Sequence, residues 1–119
     1  MINAKVVNAI IEKFRIERES KDKTILIRID LILPNGAAFL NFHYSHLEDL
    51  FNVLEVDRFE DVRGKPCVAL IADGYVRSIG NFLRGKDDYK PEEHWMGYSD
   101  WKEAINRIIA KEASDRDND

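Results

Sequence analysis

The sequence predicts an α+β fold, in which an antiparallel sheet of hairpins packs against two helices. Long apolar alternation at period two, interrupted by Asn-Gly and Asp-Gly pairs, predicts the hairpins. Two segments with apolar residues at helical spacing predict the helices. The chain has 119 residues, of which 45% are hydrophobic and 34% are charged, enough for one domain with its own core. We expect a single domain over residues 1–113 and a disordered charged tail over residues 114–119.

The first strand region covers residues 2–18, where apolar residues alternate at both ends. The phase of the alternation slips between Val7 and Ile11. A slip of this kind is typical of a β-bulge, in which one extra residue enters a strand. The pattern therefore predicts either two strand halves joined by a bulge or one long bent strand.

A hairpin is expected over residues 25–44, because its first half is apolar at every second position. Asn-Gly is the strongest short hairpin signal, so we take Asn35 and Gly36 as a two-residue loop. In that register Leu33 faces Ala38, and one face of the hairpin is wholly apolar. The opposite face mixes polar and apolar side chains: Arg28, Asp30, Ile32, Phe39, Asn41 and His43. Either a partner, a second chain or a pocket covers this face, or it is a ladder of solvated pairs.

The first helix is expected to begin at Ser45, which has Glu48 at the capping-box position. Its buried stripe consists of four apolar residues at helical spacing: Leu47, Leu50, Phe51 and Leu54. Strands over residues 67–72 and 75–79 follow, joined by a tight turn at Asp73-Gly74.

The last third of the sequence begins with residues 80–93, which contain two glycines and a proline and are expected to be mostly loop. The final helix is expected to be capped by Asp100, with Glu103 completing a second capping box. Its buried stripe comprises Trp101, Ile105, Ile108 and Ile109.

Composition limits the possible partners and location. Eighteen Lys and Arg against 22 Asp and Glu leave a net charge of −4, which disfavours duplex nucleic acid. The lone cysteine, Cys67, lies in an apolar run and is expected to be a buried structural thiol. The absence of a possible internal disulfide fits a reducing cytoplasm. No signal-peptide pattern or bilayer-spanning run is visible, so we expect no membrane association.

The sequence lacks the usual catalytic patterns. His43 and His46 are three residues apart, but solvent-facing rings explain that spacing better than a metal site does. The carboxylates lie in polar connections and not in an apolar pocket that would separate their pKa values. Neither a nucleophile elbow nor a phosphate-binding glycine loop is present. We therefore expect no enzyme activity, no cofactor and no metal.

Residues 75–89 interleave cations with aromatic rings. A ring beside a guanidinium can stack on a base while the guanidinium binds a phosphate. The cations of this segment are Arg77, Arg84 and Lys86, and Lys90 follows directly after it. The aromatic residues are Tyr75, Phe82 and Tyr89. The simpler alternative places Phe82 and Leu83 in the core, with the cations on a solvated rim.

Three segments carry a resemblance to a family of small phage- and prophage-encoded proteins. They are residues 59–68, with Gly-Lys-Pro, residues 76–83, with Ile-Gly-Asn-Phe-Leu, and residues 89–91. The resemblance covers roughly residues 2–93. The chain departs from that family in two places. It lacks a glycine-rich aromatic hairpin at residues 34–42 and a Trp-Phe pair near Tyr89.

In size and in its lack of catalytic motifs the chain is similar to the Thoeris anti-defence sponge proteins. These are small oligomeric phage proteins that sequester cyclic ADP-ribose-type signals without cleaving them. The resemblance implies a cytoplasmic homo-oligomer in the host cell that sequesters a cyclic nucleotide and blocks antiphage defence. The ligand-binding residues would be Arg28, Asn81, Phe82, Arg84 and Arg107. The alternative is a phage accessory protein or inhibitor that binds a host protein directly.

Overall fold

The computed structural model describes residues 4–81 and 90–117, with side chains as far as residue 111. Within them the chain forms a five-stranded antiparallel sheet and three α-helices, which confirms the predicted α+β class. The strands are β1 (Ala4–Arg18), β2 (Ile25–Leu33), β3 (Gly36–His43), β4 (Pro66–Ala72) and β5 (Tyr75–Gly80). The α-helices are α1 (Leu47–Leu54), α2 (Pro91–His94) and α3 (Tyr98–Asp117), with two 3₁₀ turns at Tyr44–His46 and Phe59–Asp61.

Strand β1 is the centre of the sheet, whose order is β3-β2-β1-β4-β5. Its first half pairs with β4 as far as Ile10, and its second half pairs with β2 from Ile10 onward. The register shifts between Ile11 and Lys13, which confirms a long strand with a bulge but places the bulge after the predicted slip between Val7 and Ile11. The bulge allows Ile11 and Phe14, an odd number of residues apart, to pack in the same core.

The β2–β3 hairpin differs from the prediction by two residues. Leu33 pairs with Gly36, so the loop is Pro34-Asn35 and the predicted Asn35-Gly36 loop is wrong. The predicted register would require the residue at position 34 to donate a backbone hydrogen bond to Ala37, and proline has no N–H. Because the shift is an even number of residues, every side chain keeps its predicted face.

The β4–β5 hairpin has the predicted Asp73-Gly74 turn. Both residues have positive φ, 55° for Asp73 and 83° for Gly74, as a type I′ turn requires. Strand β5 extends to Gly80, where a bridge pairs it with Trp95.

The main core lies on one face of the sheet, which the helix α1 covers. Leu50, Val53 and Leu54 of α1 are almost fully buried there. They share one cluster with the inward side chains of the strands: Ala9, Ile11, Ile27, Ile29, Leu31, Cys67, Ala69 and Ile79. The outer strands contribute to the same cluster through Leu40, Phe42 and Val76.

The start of α1 differs from the predicted capping box. The helix begins at Leu47 after a 3₁₀ turn, and Ser45 lies inside that turn. The Nδ1 atom of His43 accepts the backbone N–H of Ser45 at 3.2 Å. His43 is still extended at the end of β3, so its ring reaches the turn and takes the capping role assigned to Ser45.

The opposite face of the sheet carries the second core cluster and helix α3. Ile105 of α3 and Trp95 pack there against Val68 and Leu70 of β4. The Trp95 ring lies directly over Gly80, where an added side chain would overlap it. Helices α1 and α3 therefore lie on opposite faces of the sheet. Each covers every second residue of the strands, because successive side chains of a strand point to opposite faces.

Helix α3 is longer than predicted at both ends. It begins at Tyr98, before the predicted Asp100 cap, and Trp101 (φ −121°) interrupts its helical geometry. It ends at Asp117, so residues 114–117 are helical where we expected a disordered tail. No glycine or proline follows Gly97 in the sequence, so no residue with a strongly unfavourable helix propensity stops the helix earlier. In the described part of the chain, no helix is long and apolar enough to cross a bilayer.

Candidate functional site

The candidate site is the outer face of the β2–β3 hairpin and the adjoining half of β1, here called the hairpin face. Asp30 pairs with Phe39 and Arg28 pairs with Asn41, so these side chains share one side of the sheet. Arg15 of β1 is directly opposite Arg28. The mixed character that the sequence predicted for this face is confirmed, although each cross-strand pair differs from the predicted one.

Arg28 lies over an aromatic ring on this face. Its Cζ atom is 4.2 Å from the centroid of Phe39, within the range of a cation–π contact. Its Nε donates to Oδ1 of Asp30 at 3.1 Å. Within the described residues, the hydrogen bond of the Arg28 side chain comes from Nε, and none comes from its two terminal nitrogens. The guanidinium is therefore held in place and can still donate two parallel hydrogen bonds to a carboxylate or phosphate.

Asp30 is the fixed anion of the cluster. Arg15 donates from Nη2 to its Oδ2 at 2.7 Å, and the Asp30 side chain is only 15% exposed. The hydrogen bond from Arg15, together with the one from Arg28, lowers the pKa of Asp30 below its usual value. The same contact raises the pKa of Arg15. Asp30 therefore stays ionised and orients both arginines.

Large apolar side chains are exposed beside this charged cluster. Phe39 is 51% exposed, and Ile32 and Ile10 are each 46% exposed. Ile32 and Ile10 border a shallow groove of about 450 Å³ at the end of the hairpin. Its lining is mostly apolar: Asn8, Ala9, Ile10, Ile32, Leu33, Pro34, Pro66 and Cys67. An exposed apolar patch next to an oriented guanidinium is typical of a recognition surface.

A second aromatic and cationic cluster lies between β5 and α3. The Cζ atom of Arg77 is 5.2 Å from the Tyr75 ring centroid and 5.9 Å from that of Trp101. Its Nε donates to the carbonyl of Ala72 at 3.2 Å. Tyr75 is 68% exposed, so its ring offers a stacking surface next to a positioned guanidinium.

The predicted ligand-binding residues lie on different elements. Arg28 is in the hairpin face, Asn81 follows β5, and Arg107 is exposed on α3. Asn81 is half-buried, and its backbone N–H donates to the carbonyl of His94 at 2.7 Å. Phe82 and Arg84 lie outside the described residues. The interactions described for Arg28 involve Asp30 and Phe39, and none of them joins it to Asn81 or Arg107.

Arg15 is the residue of this site that sequence reasoning missed. The face of the sheet on which Arg15 lies depends on the bulge between Ile11 and Lys13. A bulge moves every side chain that follows it in the strand to the opposite face of the sheet. The apolar residues after the slip, Phe14 and Ile16, were the available signal. They place the residue between them, Arg15, on the outer face.

Other reactive groups do not form a further site in the described part of the chain. His43 Nδ1 lies 2.8 Å from the hydroxyl of Ser45, and His46 Nδ1 lies 3.6 Å from Asp49. A metal-binding group of three or more such residues is not found among the described side chains. Burial raises the pKa of Cys67 to about 12, so its thiol stays protonated and is a poor nucleophile.

Comparisons with known proteins do not assign the chain to a family. No family model matches the sequence, and neither the curated proteins nor the solved structures contain a match.

Proposed function

We propose that this chain is a binding protein that attaches to a protein partner through the hairpin face. The observation that carries the proposal is the contact of Arg28 with Phe39, beside exposed Ile32. The ring and the isoleucine supply apolar area that becomes buried on binding. The terminal nitrogens of Arg28 orient the partner, because they can donate two parallel hydrogen bonds to a carboxylate that lies in the plane of the guanidinium. Aromatic residues and arginine are the residue types that dominate binding energy at protein interfaces.

The charge of the hairpin face indicates the chemistry of the partner. Lys13 and Arg15 of β1 lie on the same face as Arg28, with Asp30 and Glu17 as the anions. Among the residues of β1 and β2 that pair on this face, three cations outnumber two carboxylates, although the whole chain carries −4. An acidic surface on the partner would be steered toward this face and oriented by it.

The test begins with the isolation and identification of a protein that copurifies with the tagged chain. Its affinity is then measured by calorimetry for the wild type, Phe39→Ala and Arg28→Ala. We expect each variant to weaken binding at least ~10-fold, as central interface residues do. Tyr75→Ala is the matched control, because it removes a ring that is even more exposed but lies outside the hairpin face.

Two results would contradict the proposal. In the first, Phe39→Ala and Arg28→Ala bind the identified partner as tightly as the wild type while both remain folded by circular dichroism. In the second, Tyr75→Ala weakens binding as much as Phe39→Ala does, which would place the interface elsewhere.

Sequestration of a cyclic nucleotide is a second candidate function, which the resemblance implies and the Arg77 cluster favours. The exposed Tyr75 ring beside Arg77 offers stacking and phosphate recognition within a few ångströms. Native mass spectrometry with cyclic nucleotides and cyclic ADP-ribose isomers tests it. Retention of a nucleotide that is lost in Tyr75→Ala would support this site. Loss in Phe82→Ala or Arg28→Ala would support the site that the resemblance implies. Bare protein throughout would reject both.

A further inference from the structure

The hairpin face carries a row of hydrogen-bond donors that crosses three strands. Arg28 of β2 is paired with Arg15 of β1 on one side and with Asn41 of β3 on the other. Residues paired in this way across antiparallel strands have their Cβ atoms roughly 5 Å apart. Two guanidiniums and an amide therefore lie side by side on one face of the sheet. We call Arg15, Arg28 and Asn41 the donor row.

Asp30 holds the two guanidiniums of the donor row next to each other. Arg15 donates from Nη2 to Oδ2 of this carboxylate at 2.7 Å, and Arg28 donates from Nε to Oδ1 at 3.1 Å. Like charges directly opposite each other destabilise a sheet, and the carboxylate offsets this repulsion. The Asp30 side chain is 15% exposed, whereas those of Arg15 and Arg28 are 46% and 32% exposed. The carboxylate is therefore less accessible to solvent than the two guanidiniums that it orients.

Positive charge exceeds negative charge around the donor row. Lys13 of β1 is paired with Asp30, so it adds a third cation beside this one carboxylate. Glu17 is a second anion on the face, and its Oε1 lies 3.8 Å from Nη1 of Arg15. Because the Glu17 side chain is half exposed, water and salt screen its charge. The donor row therefore attracts an anion from solution.

The number of arginines in the row distinguishes between the anions that a protein partner can present. A carboxylate has two acceptor oxygens in one plane, and the fork of a single arginine can occupy both. A phosphorylated serine or threonine carries three strong acceptor oxygens and close to two negative charges. Asp30 accepts from both arginines, which demonstrates that a single anion can span the pair. A phosphoryl group on the solvent side can span the same pair and still accept from Asn41.

We infer that the donor row binds a phosphorylated serine or threonine of the protein partner. The inference rests on the proposed function, in which the hairpin face binds that partner, and it assigns a defined chemical group to the partner's acidic surface. A peptide fits this face better than a nucleotide does. Arg28 already covers one face of the Phe39 ring at 4.2 Å, so a base cannot stack there. Exposed Ile32, four residues along β2 from Arg28, instead offers apolar contact to residues that flank the phosphorylated side chain.

Nitrogen-15 NMR of the full chain tests the inference with two matched probes, N-acetyl-phosphoserine amide and N-acetyl-glutamate amide. The Nε–Hε signals of Arg15 and Arg28 report on the donor row directly. We expect the phosphoserine compound to shift both signals and to bind at least ~10-fold more tightly than the glutamate compound, because it engages a second charged donor.

Three arginine variants locate the phosphoserine site. Arg15→Ala and Arg28→Ala should each weaken phosphoserine binding about 10-fold, since each removes one of the two charged donors. Arg58→Ala is the control, because it removes one positive charge from an exposed turn outside the hairpin face, and binding should not change. The backbone amide spectrum checks that each variant is folded.

Three results of these titrations would overturn the inference. In the first, the wild type binds the glutamate compound as tightly as the phosphoserine compound, a comparison that needs no substitution. In the second, folded Arg15→Ala binds the phosphoserine compound as tightly as the wild type does. In the third, adenosine monophosphate binds more tightly than the phosphoserine compound, which would assign the donor row to a nucleotide.

The copurified partner separates this inference from the proposed function. Treatment of the partner with a phosphatase should weaken its binding to the wild type at least ~10-fold and have little further effect on its binding to Arg15→Ala. Unchanged binding after complete dephosphorylation, verified by mass spectrometry, would overturn the inference. In that case weaker binding by Phe39→Ala would still support the proposed function.

Discussion

At the scale of single residues, Asp30 determines the geometry of the hairpin face. It accepts hydrogen bonds from Arg15 and Arg28, which come from different strands. Each guanidinium thereby loses part of its rotational freedom before any ligand arrives, which lowers the entropic cost of binding. Arg28 would be a flexible surface cation without this carboxylate, although its contact with Phe39 would still be possible.

Asp30 should also make stability depend on pH in the acidic range. Its pKa is lowered in the folded state by Arg15 and then by Arg28, so the unfolded chain takes up the proton first as the pH falls. The stabilisation is present above about pH 4, the ordinary range of an aspartate, and is lost as pH falls through the folded pKa. We expect Asp30→Asn to be less stable than the wild type at pH 7 and to lose less stability between about pH 5 and 2.

Thermal melting across this pH range measures the effect. Asp57→Asn is the control, since Asp57 lies in the exposed connection after α1 and is in none of the described ion pairs. An identical pH profile for Asp30→Asn and the wild type would show that the arginine contacts contribute nothing to folding.

At the scale of elements, the two hairpins show how one residue changes a turn. Asn35-Gly36 and Asp73-Gly74 are both strong signals for a two-residue turn, yet only the second is used as predicted. Pro34 precedes the first pair and lacks the N–H that the closing pair needs, so the loop moves back to Pro34-Asn35. Ile71 and Ala72 precede the second pair, and neither residue prevents its closure.

The Asp73-Gly74 turn should be sensitive to the size of its second residue. Gly74 has a φ of 83°, where an added Cβ meets no neighbouring atom but is strained by its own backbone. We expect Gly74→Ala to reduce the free energy of unfolding by about 1–2 kcal/mol, as measured by urea denaturation. Asp73→Asn should be neutral, because asparagine tolerates positive φ at least as well as aspartate. A neutral Gly74→Ala would mean that the turn adopts a different type in solution.

Strand β1 shows what alternation can and cannot predict for a long element. The slip between Val7 and Ile11 predicted a bulge, but β1 pairs regularly there and the bulge comes later, after Ile11. The slip instead marks the change from side chains packed in the second cluster, such as Val6, to side chains packed in the main core, such as Ala9. The division of β1 between two neighbours was not predictable, since alternation carries no information about which strand lies alongside.

At the scale of the whole molecule, Cys67 reports on global opening. It is 8% exposed, and burial raises its pKa to about 12. We expect a thiol reagent at pH 8 to label the folded protein at least ~1,000-fold more slowly than the unfolded chain, as a domain of ordinary stability would require. The rate should rise with urea in parallel with unfolding.

A surface thiol is the control for this experiment. Ser20→Cys, in the exposed turn after β1 and combined with Cys67→Ala, should react at the rate of the unfolded chain without urea. Labelling of native Cys67 at that same rate would show that the β1–β4 half of the sheet opens without global unfolding.

The sequence by itself determined the strands, the α+β class and the face on which each hairpin side chain lies. These features follow from local periodicity and turn chemistry, which act within a few residues. It therefore identified Arg28, Phe39 and Asp30 as neighbours on one mixed face. Only the tertiary structure decided three features. They are the two-residue shift of register in the first hairpin, the salt bridge from Arg15 to Asp30, and the placement of α1 and α3 on opposite faces of the sheet. These depend on contacts between distant segments, for which packing and not local pattern sets the energy.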